Sequence, residues 1–87
     1  MTRRYPAVLF GPAPTPMPVT DVIPRDEWTT DRESILIEKI EHHSPTPERE
    51  AYVRLHGRIT RGPDRSPKVL RQWTFHVDQE LPIVRRP

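Results

Sequence analysis

The chain has 87 residues, of which 33% are hydrophobic, 30% are charged and twelve are proline, so it forms one small domain with a modest core. It has no cysteine, which excludes a disulfide framework and a thiolate metal site and fits a reducing compartment. No apolar run approaches the roughly 20 residues of a membrane-spanning helix, and Ala7-Val8-Leu9-Phe10 is too short for a signal-peptide core, so a cytoplasmic or virion-associated protein is expected.

Arginine outnumbers lysine twelve to two and asparagine is absent, the bias expected of a high-GC bacterial genome or one of its phages. The net charge of +2 hides an asymmetry. Residues 1–24 carry +1, residues 25–50 carry −4 and residues 51–87 carry +5. An acidic middle and a basic C-terminal third predict complementary surfaces, within one molecule or between copies.

Residues 1–24 read as an extended, proline-rich arm. The run Pro12-Ala-Pro-Thr-Pro-Met-Pro18 removes backbone donors and biases each preceding residue to extended angles, which suits polyproline-II geometry and bars a regular helix or a central strand, while Tyr5–Phe10 is the candidate for a short edge strand opening the arm. Tyr5, Leu9 and Phe10, with Pro12 and Pro14, are the residues that would anchor this arm on a partner.

Residues 25–80 read as a small β domain. At 33–41, Thr30-Asp-Arg-Glu33 has the pattern of a helix capping box, yet Ile35, Ile37 and Ile40 are β-branched, and a strand is favoured over a helix. Residues 50–61 alternate cleanly: Ala51, Val53, Leu55, Gly57 and Ile59 on one face, with Tyr52, Arg54, His56, Arg58 and Thr60 on the other. After the turn-rich Gly62-Pro-Asp-Arg-Ser-Pro67, the alternation resumes over 68–79, with Val69, Arg71, Trp73, Phe75 and Val77 sharing a face. The two segments form an antiparallel hairpin. Matching apolar faces pairs Leu55 with Phe75, Val53 with Val77 and Gly57 with Trp73. The core expected from these patterns is Ile35, Ile37, Val53, Leu55, Ile59, Val69, Trp73, Phe75, Val77 and Ile83, and residues 81–87 form a short C-terminal tail.

The chemistry-bearing residues form no recognisable catalytic or metal motif. Adjacent His42 and His43 point to opposite faces of a strand, and His56 with His76 and no cysteine make a thin metal site. Glycine-rich phosphate loops and a nucleophile elbow are both missing, and so small a chain can hardly enclose a substrate pocket. No enzyme, cofactor, metal or small-molecule substrate is therefore expected. The extended arm and free sheet edges point to a non-enzymatic structural or accessory subunit, docking on a protein partner or on copies of itself. The alternative is a nucleic-acid-binding regulator that uses Tyr52, Arg54, His56, Arg58, Arg61, Arg65 and Lys68 on the hairpin face and loop.

Overall fold

The computed structural model of the chain describes residues 13–86. Within them lies one antiparallel six-stranded sheet: β1 (Thr15–Pro18), β2 (Glu27–Thr29), β3 (Ser34–His43), β4 (Tyr52–Arg61), β5 (Arg71–His76) and β6 (Glu80–Val84). The strand order is β1-β6-β2-β3-β4-β5, and a single 3-10 turn, Val19–Asp21, follows β1. No helix among the described residues is long and apolar enough to cross a membrane.

The segment expected at 33–41 is strand, running as β3 from Ser34 to His43. The Thr30 hydroxyl accepts the N–H groups of Arg32 and Glu33 at 3.2 and 3.1 Å, as a helix cap would. Here, however, Thr30 N–H donates to Glu33 O at 2.9 Å and closes the turn between β2 and β3. The capping pattern encodes a local hydrogen-bonded turn, and the β-branched run that follows it selects strand.

Val19, Val22, Ile35, Ile37, Val53, Leu55, Ile59, Leu81 and Ile83 form the buried core, with Trp28, Trp73, Phe75 and Val77 packed on it. Trp28 of β2 meets Trp73 and Phe75 of β5 edge-to-face, at centroid distances of 5.6 and 5.3 Å. Two strands separate β2 from β5, so in a flat sheet these residues would stand about 14 Å apart. The sheet is therefore curled around its own core, which needs no covering helix. Register shifts between Ser34 and Ile35 and between Ile37 and Lys39 give β3 the irregularity that such curling requires.

The hairpin register differs from the sequence expectation. Leu55 pairs with Trp73, Val53 with Phe75 and Gly57 with Arg71. The loop extends over residues 62–70, longer than expected, because Ser66 N–H bonds back to Ile59 O at 2.9 Å and Val69 N–H to Ser66 O at 3.0 Å. Val69 thereby leaves the core and is 48% exposed. The displacement of two residues keeps every side chain on its face, so alternation cannot detect it.

Both ends of the β domain reach further than the composition suggested. Thr15–Pro18 is extended, as expected of the arm, but it pairs with β6, and Val19 and Val22 behind it are buried. Residues 81–84, read as tail, lie within β6 between β1 and β2, with Leu81, Ile83 and Val84 buried. Pro82 fits inside the sheet because it faces Pro16, and the ladder to β2 pairs only Val84 and Ile83. Tyr5, Leu9, Phe10 and Pro12 lie outside the described residues, and Pro14 is exposed just ahead of β1.

Arg25 has φ 79, a left-handed conformation that follows Pro24 in a turn closed by Asp26 N–H to Ile23 O at 3.2 Å. Arg25→Gly is expected to raise stability by about 0.5–1 kcal/mol, since relief of the side-chain clash exceeds the extra entropy of glycine. A rise in the urea midpoint at unchanged m-value would show it.

Candidate functional site

The outward face of β4 carries Tyr52, Arg54, His56 and Arg58, as alternation requires. β3 lies beside it with Glu38, Glu41 and His43, and β5 with Thr74 and His76. The bulge near Glu38 sets this arrangement. Ile35 and Ile37 point inward, so an unbroken strand would also turn Glu41 and His43 inward. The inserted residue reverses the parity, so that Ile40 faces Leu55 inside while Glu41 and His43 face Arg54 and Tyr52 outside.

The basic residues of this face have partners within the chain. Arg58 Nε donates to Glu38 at 2.7 Å, Arg54 Nε to the Thr74 hydroxyl at 3.3 Å, and His76 Nε2 contacts Glu50. At the loop end of the hairpin, Arg61 donates to Ser34 Oγ at 3.1 Å and Thr30 O at 2.7 Å, while Arg65 donates to Thr60 O at 3.2 Å. Lys68 is exposed in the loop. The acidic middle and basic C-terminal third are thus partly paired inside the molecule, through Glu38–Arg58, Asp26–Arg85 and Glu27–Arg86, whereas Arg54, Arg61 and Arg65 bond to neutral oxygens. Exposed pairs such as Arg58–Glu38 add little stability, but they lower the positive potential that a phosphate backbone would meet.

Tyr52 is enclosed. The His43 ring stacks on it at 4.4 Å and 4° between planes, and the Arg49 guanidinium sits 3.8 Å from the ring centroid. The two are too close to the ring to share one side, so both aromatic faces are occupied. A nucleobase would have to displace one of them to stack.

Glu41 is the electrostatic centre of the face. His43 and His56 each set Nε2 against one carboxylate oxygen, at 2.8 and 2.6 Å, and Lys39 lies 3.7 Å away. The His43 and His56 hydrogen bonds hold its pKa down at about 2. Because the folded value lies below the unfolded one, near 4.3, the resulting stability is complete above about pH 5 and is lost as pH falls towards 2. Acid titration should show wild type losing more stability over that window than Glu41→Gln, with the difference closing at its acid end. Equal acid slopes would count against the assignment. Among the described residues, no group of three or more histidines or carboxylates is arranged to hold a metal ion.

A second feature, missed in the sequence, is the contrast between the two sheet edges. At β1, Pro16 faces Pro82, and since neither has an N–H this pair cannot be a hydrogen-bonded one. Val19 N–H bonding to Gln79 O at 2.8 Å fixes the same alternation. Pro16 and Pro18 therefore turn their nitrogens outward and remove two donors from that edge. β5 has no proline, and its one strand neighbour among the described residues is β4. Arg71, Gln72, Thr74 and His76 are exposed, and Val69 and Leu70, 48% and 50% exposed, lead into the strand.

A surface cleft of about 260 Å³ lies at the opposite end of the hairpin, lined by Thr30, Arg32, Glu33, Pro63 and Asp64. The Thr30 hydroxyl is engaged in the β2–β3 turn, accepting the N–H groups of Arg32 and Glu33. The chain matches no family model, no curated protein and no solved structure.

Proposed function

We propose that this chain is a non-enzymatic structural or accessory subunit that docks onto a larger protein assembly, of the kind found in phage virions and bacterial multiprotein complexes, through its sheet edge and N-terminal arm. The observation that carries this reading is the difference between the edges: β1 is stripped of donors by Pro16 and Pro18, whereas β5 has no proline, is capped only at its end by the His76 N–H bond to Gln79 Oε1, and lies beside two exposed apolar side chains. An edge with no strand partner among the described residues, next to Val69 and Leu70, is a liability for a solitary protein and an asset for one that adds strands to a neighbour. The nucleic-acid reading is weaker, because Arg58, His56 and Tyr52 already have partners on the same face.

The separating experiment is fluorescence anisotropy of labelled duplex and single-stranded DNA and RNA across a salt series. The assembly reading expects no binding even at low salt, where weak phosphate contacts are strongest. Binding with a steep negative salt dependence, abolished by Arg54→Glu with Arg58→Glu, would replace it with the regulator reading.

A further inference from the structure

We infer that residues 4–10 of a second copy of this chain add as a strand to the outer edge of β5, which has no strand partner among the described residues, running antiparallel to it. This rests on the assembly reading above and names its partner.

The first argument is complementarity. The segment Arg4-Tyr5-Pro6-Ala7-Val8-Leu9-Phe10 is an apolar, β-competent run with a basic start. Laid antiparallel along Arg71–Phe75, short of His76 whose N–H and C=O are bonded to Gln79, it brings Leu9 and Phe10 to Val69 and Leu70, and brings Arg3 and Arg4 towards Asp78, whose side chain is 86% exposed. The parallel orientation would set the two arginines against Lys68 and Arg71 and the phenylalanine against Asp78. Charge and apolar contact therefore select the same direction. Pro6 is tolerated because an added strand becomes the new edge, where its nitrogen can face solvent.

The second argument is chain connectivity, and it makes the donor another molecule. Every neighbouring pair in the order β1-β6-β2-β3-β4-β5 is antiparallel, so a strand antiparallel to β5 runs parallel to β1. Parallel strands of one chain need a connection of about a dozen residues. Only residues 11–14 separate Phe10 from Thr15. The arm of the same chain cannot take this place, whereas the arm of a second copy can. Such a contact joins one molecule's arm to the next molecule's edge, and it closes as a reciprocal dimer or ring or propagates as an array.

Sedimentation velocity on the full chain tests this. Wild type should associate with rising concentration. The double variants Leu9→Asp with Phe10→Asp, and Val69→Asp with Leu70→Asp, should each weaken association about thirtyfold. Both should retain wild-type far-ultraviolet circular dichroism, since the second pair lies in an exposed loop. Mixed, the two should form a one-to-one dimer and nothing larger, because one contributes an intact edge and the other an intact arm. A full chain that stays monomeric, or variants that associate like wild type, would overturn the inference. Monomers that also ignore nucleic acid would leave the assembly reading in place with a different protein as partner, whereas salt-dependent nucleic-acid binding would remove that reading itself.

Discussion

Asp26→Ala is expected to lower the unfolding free energy by about 3 kcal/mol. Asp26 is 1% exposed, yet it is the hub of the corner that joins β1, β2 and β6. Arg85 Nε donates to its Oδ1 and an Arg85 terminal nitrogen to its Oδ2, both at 2.8 Å, and Ile23 N–H donates to Oδ2 at 2.9 Å. Burial pushes the carboxyl pKa up, but the Arg85 hydrogen bond, the Ile23 N–H and the guanidinium charge together outweigh burial and hold it below the ordinary value. Removing the carboxylate leaves a buried N–H and a guanidinium without their acceptor. Arg85 is 43% exposed and can turn to water, which places the loss at the lower end of the range for a broken buried pair. Arg85 also donates to Asp21 O at 2.9 Å, so the corner leading back to β1 loosens with it.

The measurement is urea unfolding, where the midpoint should fall at unchanged m-value, together with a melting temperature lower by something over 10 °C. Asp26→Asn should recover little, because its amide NH₂ confronts another donor. The pH dependence has a definite sign. The folded pKa is lowered, so the contribution is complete above the unfolded value near 3.9 and disappears as pH falls through the folded value. Wild type and Asp26→Ala should therefore converge in acid. A loss below about 1 kcal/mol at neutral pH would show that water replaces the carboxylate at little cost.

What could be read from the sequence was set by whether local pattern or long-range pairing decides. The strands of the hairpin were legible because Val53, Leu55, Trp73 and Phe75 alternate with polar residues over enough length to define a face. Their register was not, because a displacement of two residues conserves that alternation, and the turn that fixes it depends on Ser66 reaching back to Ile59. β6 escaped notice because Pro82 argues against an inner strand, and only the absence of a β2 partner opposite it makes the position harmless. β2 is three residues long and carries no period at all.

The candidate site divides in the same way. Tyr52, Arg54, His56 and Arg58 were legible as one outward face. The partners of His56 and Tyr52 on it were not, because Glu41 and His43 reach that face only through the bulge near Glu38, and a bulge has no signature in hydrophobic spacing. The charge asymmetry between 25–50 and 51–87 was a real signal of complementarity. Its meaning depends on long-range pairing, which sets Glu38 against Arg58, Glu41 against His56, and Asp26 and Glu27 against Arg85 and Arg86.

Gly57→Ala is expected to cost about 3 kcal/mol, the upper end of what overpacking usually costs. Gly57 faces the core between Leu55 and Ile59, at the point where β3 shifts register between Ile37 and Lys39. A Cβ placed there would lie inside the contact distance of the Leu36 carbonyl oxygen and 3.1 Å from Ile35 Cγ2. The isoleucine methyl could rotate away. The carbonyl could not, because moving it displaces the β3 backbone that curls over the core and presents Glu41 and His43 to the outer face. The effect should therefore spread beyond stability. Gly57→Ala should weaken the Trp28–Trp73 contact, seen as altered near-ultraviolet circular dichroism of the folded protein, and should shrink the acid-sensitive contribution of Glu41. Adding Ile35→Val should not rescue it, since the obstruction is main chain. Full rescue by that second change, or a loss below about 1 kcal/mol, would mean that the curl of β3 is held elsewhere.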